Sequence, residues 1–280
     1  MCVYDWSPNF CVFFSEGAIR MSIECRNLKV GYDDKIIISD LSVKIPKGKI
    51  TMVIGSNGCG KSTLLKSIGG IIKPKNGQIF LNNKDIKSYK TKEIAKELAY
   101  LPQNPVVPQK ITVEELIAFG RFPYRKGFGS LTKTDNEIIE QAIKEVRLTS
   151  LKCSNVEELS GGQRQRAWIA MALAQCTDTL ILDEPTTYLD MAHQLEILKL
   201  LQELNRARQT TILIVIHELN LASRFADHMI AMKQGKIICE GDAKTVVTKE
   251  NLKAIYDIDA QIIYDDKDGH PICTNYDILT

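Results

Sequence analysis

The chain has 280 residues, of which 44% are hydrophobic and 25% are charged. These fractions are typical of a globular protein with one or two domains, and they exclude a disordered, collagen-like or coiled-coil chain. The 36 basic and 34 acidic residues give a formal net charge of +2, which provides no broad basic face for nucleic acid. No run reaches the ~18 uncharged apolar residues of a membrane span, so we expect a soluble protein that can dock on a membrane protein.

Residues 1–20 differ from the rest of the chain. They lack the basic start and the clean apolar run of a secretion signal. A purine-rich stretch of messenger RNA can encode Glu16, Gly17 and Ala18. In a bacterial message this stretch would lie just before the codon for Met21, where a ribosome-binding site precedes a start codon. We therefore predict that residues 1–20 are a tail upstream of the native start, and the alternative is a short disordered tail of the translated protein. The eight cysteines include no C-x-x-C pair, which predicts reduced thiols and a cytosolic protein.

The first predicted elements are strands. Alternating apolar and polar residues predict strands at 22–30 and 36–45, joined by a short turn. The short apolar run at 50–54 predicts a buried strand, and a helix is predicted over Lys61–Ile68. A small hairpin is predicted between residues 79 and 86.

From residue 91 to about residue 176 the pattern becomes helical. Thr112 followed by Glu115 forms a capping box, and so does Thr134 followed by Glu137, and each pattern predicts a helix start. Apolar residues then recur three and four positions apart, as one buried helix face requires. They are Ile138, Ile139, Ala142, Ile143 and Val146.

The last third of the chain again alternates strands and helices. Continuous apolar runs at 179–182 and 211–216 predict parallel strands covered on both faces, with a crossover helix at 195–204 between them. A further hairpin is predicted at 229–239. The predicted fold class is α/β, with a mixed sheet that carries antiparallel edge strands and with an inserted helical subdomain.

A glycine-rich segment between the third strand and the first helix matches the phosphate-loop pattern G-x-x-x-x-G-K-[ST]. Its backbone N–H groups and the helix N-terminus would surround an anion. Lys61 is expected to reach the β- and γ-phosphates of ATP, and the Ser62 hydroxyl to bind Mg²⁺. Cys59 is either a reactive thiol, because a helix N-terminus and a lysine favour the thiolate, or an inert small residue. The predicted ATP-binding residues of this loop are Gly55, Ser56, Asn57, Gly58, Cys59, Gly60, Lys61, Ser62 and Thr63.

Two acidic residues follow the apolar run at 180–182. Asp183, at the strand tip, is placed to hold Mg²⁺ through water, and Glu184 is placed to accept a proton from an attacking water as general base. An acidic pair after a strand usually lies in a solvated turn. Its position downstream of a phosphate loop, on a neighbouring parallel strand, makes the catalytic interpretation the stronger one.

The segment Leu-Ser-Gly-Gly-Gln at 159–163 resembles the signature of ABC-transporter ATP-binding cassettes, and like that motif it opens a predicted helix. The resemblance extends over residues 21–250, with the helical subdomain at about 104–170 and a short C-terminal extension at 251–280. It implies the P-loop NTPase core of that family.

The resemblance also assigns residues outside the two nucleotide motifs. It implies that Gln103 is a magnesium ligand that acts in catalysis with Glu184 and His217, and that Tyr32 stacks on adenine. Two cassettes arranged head to tail are implied, because signature residues of one chain clamp the γ-phosphate held by the other. The partner cassette is a second copy or a paralogue. The residues expected to act in trans at that interface are Ser160, Gly161, Gly162, Gln163 and Asp190.

Segments 113–124 and 186–194 resemble importers of ferric siderophores, haem and cobalamin, and most closely the siderophore members. The leading hypothesis is the ATPase subunit of a ferric-siderophore importer, located in the cytoplasm and peripheral on the inner face of the cell membrane. Its implied partners are a multi-span permease and, through the permease, an exported substrate-binding protein. Arg121 and Arg125 are expected either near the permease or as ordinary solvated charges.

Three alternatives stay open at this point. The same subunit role can serve haem, cobalamin or a metal ion, because the cassette does not bind the cargo. A soluble non-transport ATPase is the second, although the sequence shows neither a second cassette, as in translation factors, nor the long coiled-coil insertion of repair proteins. A nucleotide-binding module without turnover is the third, and the presence of Glu184 and His217 argues against it.

Overall fold

The computed structural model describes residues 21–106, 110–125 and 130–279, so the tail predicted at residues 1–20 lies outside the described residues. The strands, in chain order, are β1 (Met21–Tyr32), β2 (Lys35–Pro46), β3 (Ile50–Gly55), β4 (Asn76–Leu81), β5 (Lys84–Asp85), β6 (Leu98–Leu101), β7 (Thr179–Asp183), β8 (Thr211–Val215), β9 (His228–Lys233), β10 (Lys236–Gly241), β11 (Ile258–Tyr264) and β12 (Pro271–Ile278). The α-helices are α1 (Lys61–Ile68), α2 (Thr91–Glu97), α3 (Val113–Ala118), α4 (Lys133–Glu145), α5 (Gly161–Ala174), α6 (Met191–Arg208), α7 (Leu219–Phe225), α8 (Ala243–Val246) and α9 (Lys249–Tyr256). Short 3-10 helices lie at Ile86–Ser88, Phe119–Tyr124, Thr149–Leu151 and Val156–Glu158. Across the described ranges, no helix is both long enough and apolar enough to cross a membrane.

A six-stranded sheet forms the centre of the molecule, in the order β10-β9-β3-β8-β7-β6. All pairs in it are parallel except β10 with β9. Every residue of β3, β7 and β8 is buried, as the continuous apolar runs predict. Alternate side chains of β3 enter different cores, with Met52 in the larger cluster beside the helices and Val53 in the second cluster.

A second, antiparallel sheet has the order β2-β1-β4-β5 and confirms the strands and the hairpin predicted in the N-terminal part. The hairpin turns at Asn82 and Asn83, whose φ angles of 49° and 66° suit a tight two-residue turn. Side chains of α1 such as Leu64 share one apolar cluster with β1 and with Val53 of the central sheet. The predicted α/β class with antiparallel edge strands is therefore confirmed.

The helical pattern predicted from residue 91 is wrong at Leu98–Leu101, which form the edge strand β6. This segment is only four residues long, and a short apolar run has the same hydrophobic pattern in a strand and in a buried helix. Parallel pairing of Leu98 with Thr179 and of Leu101 with Leu182 decides its conformation. The strand matters for the site, because it directs Tyr100 and the following Gln103 to the same sheet edge as β7.

The inserted helices confirm one of the two predicted caps. Thr112 Oγ1 accepts a hydrogen bond from Glu115 N at 3.2 Å, as expected for the start of α3. The cap predicted at Thr134 is wrong, because α4 begins two residues earlier and Thr132 is its N-cap. Asp135 closes that capping box by accepting from the backbone and hydroxyl of Thr132 at 3.0 and 2.7 Å. The apolar face of α4 is otherwise as predicted, with Ile139 and Ile143 at its buried centre.

Arg121 is buried, at 5% exposure, so the expectation of an ordinary solvated charge is wrong there, and a position near the permease stays a prediction. Its Nε donates to Asp135 Oδ1 at 2.8 Å, and its Nη1 donates to the carbonyl of Ala174 at 2.8 Å. The guanidinium also lies 4.0 Å from the ring centre of Tyr124. Hydrogen bonds from Thr132 and Arg121 lower the pKa of Asp135 to about 2. Arg121 therefore joins the Phe119–Tyr124 segment, α4 and α5, while the docking role of Arg125 stays a prediction.

The C-terminal extension predicted at 251–280 contains most of α9 and the antiparallel hairpin of β11 and β12. The hairpin packs on the core through Ala260 and Cys273, which are both buried. Asn220 of α7 holds β12 through two hydrogen bonds with the backbone of Cys273. Its side chain donates to Cys273 O at 3.0 Å and accepts from Cys273 N at 2.9 Å. The segment is thus part of the folded unit.

Replacing Arg121 with Ala should lower the free energy of unfolding by about 3 to 5 kcal/mol, because it leaves the buried carboxylate of Asp135 without its cation. Urea denaturation at pH 7 measures this change. The exposed Arg206 of α6 provides the control, and Arg206→Ala should change stability by less than about 0.5 kcal/mol. Equal effects of the two substitutions would contradict a structural role for the Arg121 pair.

Candidate active site

The phosphate loop connects β3 with α1. Its first residue, Gly55, has φ 142°, and a Cβ there would lie 2.1 Å from Met232 O, so only glycine fits. Lys61 Nζ donates across the loop to the carbonyls of Gly55 and Ser56 at 2.8 and 3.1 Å. Gly60 is the N-cap of α1 and offers no side-chain acceptor to the first-turn N–H groups, and that turn contains no acidic residue. These amides and the lysine make the loop a fitting cradle for phosphate.

Asp183 ends β7 beside this loop and is 3% exposed. Its Oδ1 accepts from Ser62 Oγ at 2.9 Å, and its Oδ2 accepts from the phenol of Tyr100 at 3.2 Å. Burial raises the pKa of Asp183, and the two hydroxyl donors oppose that rise. Hydroxyl and carboxylate oxygens are the ligands that Mg²⁺ prefers, so the Ser62–Asp183 pair fits that ion.

Glu184 faces a different set of groups from Asp183. Its φ of 54° lies in the left-handed region and turns it out of the strand, and its N–H donates to Val215 O at 3.1 Å. Its Oε1 lies 2.6 Å from His217 Nε2. Its Oε2 accepts hydrogen bonds from Gln103 Nε2 and, at 3.1 Å, from Thr187 Oγ1. The three residues predicted to be catalytic therefore meet at one point.

Sequence reasoning missed Tyr100 and Thr187. Thr187 lies three residues after Glu184 and donates to its carboxylate, and the spacing alone gives no signal of that bond. Tyr100 lies in the strand that was taken for helix, three residues before Gln103. Burial raises the pKa of the Tyr100 phenol far above its usual range, so the group stays protonated and acts as a donor to Asp183.

The signature segment lies at the start of α5. Ser160 Oγ accepts from Gln163 N at 3.3 Å, and Gln163 Oε1 accepts from Ser160 N at 3.0 Å, which closes a capping box. A Cβ on Gly162 would lie 2.5 Å from the ring of His193, whose Nδ1 lies 2.8 Å from Asp190 Oδ2. Hydrogen bonds from His193 lower the pKa of Asp190. Ser160, Gly162 and Asp190 thus share one surface, which His193 helps to hold.

This surface and the phosphate loop of the same chain have different hydrogen-bond partners. In the part of the chain that the structure describes, no hydrogen bond or ion pair joins residues 160–163 or Asp190 to residues 55–63. Tyr32, the predicted adenine contact, ends β1 and is 44% exposed, which leaves its ring accessible. The predicted ATP-binding and in-trans residues therefore form two surfaces.

Cys59 is a buried thiol, and its surroundings favour the inert alternative over the reactive one. Its side chain is 4% exposed, and burial raises the pKa of the thiol, which outweighs the opposite effect of the nearby Lys61. The sulfur lies beneath the loop, 3.0 Å from the position that a Cβ on Gly55 would take. It fills space under the phosphate loop and does not face an incoming reagent.

Comparison with known proteins gives consistent results. A model of the ABC transporter family matches residues 38–187. The chain is 51% identical over 258 residues to the iron(3+)-hydroxamate import ATP-binding protein FhuC of Bacillus subtilis, covering 92% of this chain and 96% of that protein. It is 44% identical over 245 residues to the ferric enterobactin transport ATP-binding protein FepC of Escherichia coli, covering 88% and 90%. A solved structure of an ABC transporter in an inward-facing conformation matches with a TM-score of 0.80 and 28% identity, covering 93% of this chain and 98% of that chain.

The thiols provide a test of the loop geometry. Iodoacetamide at pH 7.5 should alkylate Cys153 and Cys176, which are exposed, while Cys59 remains unmodified because its thiol is buried and protonated. Mass spectrometry of proteolytic peptides measures each site, and labelling in guanidinium chloride provides the control in which Cys59 reacts. Labelling of folded Cys59 as fast as Cys153 would contradict the described loop.

Proposed function

Since this chain belongs to the ABC transporter family, we propose that it is the ATP-binding and ATP-hydrolysing subunit of an importer that takes up ferric siderophore through a separate permease. The observation that carries the proposal is the meeting of the phosphate loop, Asp183 and the Glu184–His217 pair at one sheet edge. Two relatives, one named for iron(3+)-hydroxamate import and the other for ferric enterobactin transport, support the cargo class.

Nucleotide binding follows from the charge of the loop. The N–H groups of loop 55–63 and the N-terminus of α1 hold the phosphates, and Lys61 moves from its loop carbonyls to the β- and γ-phosphate oxygens. Tyr32 stacks on the adenine from its exposed position. Ser62, Asp183 and Gln103 would hold Mg²⁺, which when bound neutralises charge on the phosphates.

Hydrolysis depends on the second acidic residue. Glu184 takes a proton from a water molecule as the water oxygen attacks the γ-phosphorus and the bond to the β-phosphate oxygen of ADP breaks. His217, 2.6 Å from Glu184 Oε1, fixes the orientation of that carboxylate. Gln103 also contacts Glu184 and connects the site to the inserted helical segment.

A second cassette completes the site. Ser160, Gly161, Gly162, Gln163 and Asp190 are proposed to contact the nucleotide held by a partner chain, which is most simply a second copy arranged head to tail. The separation of the two surfaces within one chain supports this arrangement. A multi-span permease, which itself receives cargo from an exported binding protein, is the proposed membrane partner on the inner face of the membrane.

The proposed cargo class rests on sequence similarity to relatives with named cargoes. FhuC is named for iron(3+)-hydroxamate import and FepC for ferric enterobactin transport, and the chain is 51% and 44% identical to them. Both names specify ferric iron together with an organic component. Ferric siderophore is therefore the class proposed, and the alternatives of haem, cobalamin and a free metal ion have less support.

Glu184→Gln should reduce ATP hydrolysis by about 100- to 10,000-fold and retain ATP binding, because the proton acceptor is lost while the phosphate-binding groups remain. Phosphate release measures the first effect, and size-exclusion chromatography with ATP measures the expected trapped dimer. Normal hydrolysis by Glu184→Gln would show that the base is another residue.

Lys61→Ala should weaken ATP binding itself, and Lys73→Ala, at an exposed lysine, serves as its control.

The transport role is tested by co-purification from detergent-solubilised native membranes after growth with and without iron. A multi-span permease recovered with the tagged chain and enriched under iron starvation is the expected result. Recovery of a permease that does not respond to iron would contradict the siderophore cargo. Recovery of soluble proteins alone would contradict the importer itself and favour a non-transport ATPase.

A further inference from the structure

Asp183 is held by two hydroxyl groups that come from different elements. Ser62 Oγ of α1 donates to Oδ1 at 2.9 Å, and the Tyr100 phenol of β6 donates to Oδ2 at 3.2 Å. The side chain of Asp183 is nearly inaccessible, so water does not replace either donor. With one donor on each oxygen, rotation of the carboxylate about its Cβ–Cγ bond is restricted.

Tyr100 is itself fixed between the two elements that form the site. Its backbone pairs with Ile181 of β7, two residues before Asp183. Its ring lies against the C-terminal end of α1, where a Cβ on Gly69 would be 3.2 Å from Tyr100 Cδ2. The tyrosine therefore touches both the strand that carries Asp183 and the helix that carries Ser62.

We infer that Tyr100 is a positioning residue for the magnesium site, and that its phenol holds Asp183 in the rotamer that directs the oxygens of Ser62 and Asp183 at one cation. The inference rests on the magnesium-holding role proposed above for those two residues. The Ser62 hydroxyl has a single proton, and donating it to Asp183 leaves the hydroxyl lone pairs for the cation. Tyr100 thus orients Ser62 as well, through the shared carboxylate.

The same strand end contacts both consecutive acidic residues. Tyr100 donates to Asp183, and Gln103, three residues later, donates to Glu184. A displacement of the end of β6 would therefore alter the surroundings of both carboxylates together. This arrangement gives Tyr100 a specific function that a phenylalanine of nearly the same shape cannot supply.

The experiment titrates Mg²⁺ into the full-length protein holding a fluorescent, non-hydrolysable ATP analogue. In Tyr100→Phe the Mg²⁺ concentration for half-saturation should rise by about 10- to 100-fold, because groups that orient metal ligands typically have effects of this size. Affinity for the analogue in EDTA should stay within about twofold of wild type, because the phosphate loop is untouched. Tyr89→Phe is the matched control, since its phenol donates to Leu81 O at 3.3 Å, outside the site, and it should titrate as wild type.

Two results would overturn the inference. One is a Tyr100→Phe variant that titrates as wild type, and the other is an equal loss of affinity with and without Mg²⁺, which indicates a structural role alone. Asp183→Asn separates this failure from failure of the proposed function. If Asp183→Asn loses the Mg²⁺ response while Tyr100→Phe keeps it, only the inference is wrong. If both variants keep it, the proposed magnesium site is wrong too.

Discussion

The parallel register of the central sheet is the constraint on which the site depends. Because β3, β8, β7 and β6 run in one direction, the segments that follow them emerge at one edge. The loop at Gly55, the acidic pair at 183 and 184, His217 and Gln103 lie at or just after the ends of four different strands. Asp183 pairs with Val215, and a slip of one residue would turn Asp183 away from Ser62 to the other face of the sheet. Backbone hydrogen bonds thus assemble residues that lie more than 100 positions apart in the chain.

Two adjacent carboxylates have different surroundings because the backbone changes conformation between them. Asp183 still belongs to β7 and accepts hydrogen bonds from two hydroxyl groups, and burial raises its pKa despite them. Glu184 adopts a left-handed conformation, which costs about 1 to 3 kcal/mol for a residue with a side chain, and Val215 O holds it there. The strain turns Glu184 toward His217 and Gln103. The two carboxylates therefore have different neighbours, as the separate roles proposed for them require.

The sequence predicted what is contiguous along the chain. The loop at 55–63 carries its own conformational signal in glycines that need positive φ, and β3, β7 and β8 are apolar because both faces of the sheet are covered. It did not predict β6, whose four residues take their conformation from pairing with β7.

The sequence also did not predict the contacts between polar side chains that are distant along the chain. Arg121 pairs with Asp135, and Asp135 in turn makes Thr132 the helix cap in place of Thr134. An arginine in this segment has the same local pattern whether it is exposed or buried, and contacts with α4 and α5 bury this one. Tyr100 escaped notice for the same reason, because its acceptor Asp183 is 83 positions away in the chain, whereas Thr187 contacts the nearby Glu184 through a spacing that carries no signal.

The surface of the signature segment has features that suit the proposed second cassette. Tyr188 and Met191 flank Asp190 and are 86% and 81% exposed, an unusual state for large apolar side chains placed side by side. The N-terminus of α5 lies on the same surface and favours negative charge. A head-to-tail second copy would cover the apolar pair and bring its bound phosphate to that helix end. Nucleotide would then strengthen the interface electrostatically, and cleavage of the γ-phosphate would weaken it, so the chemistry at Glu184 would control the association of the two chains.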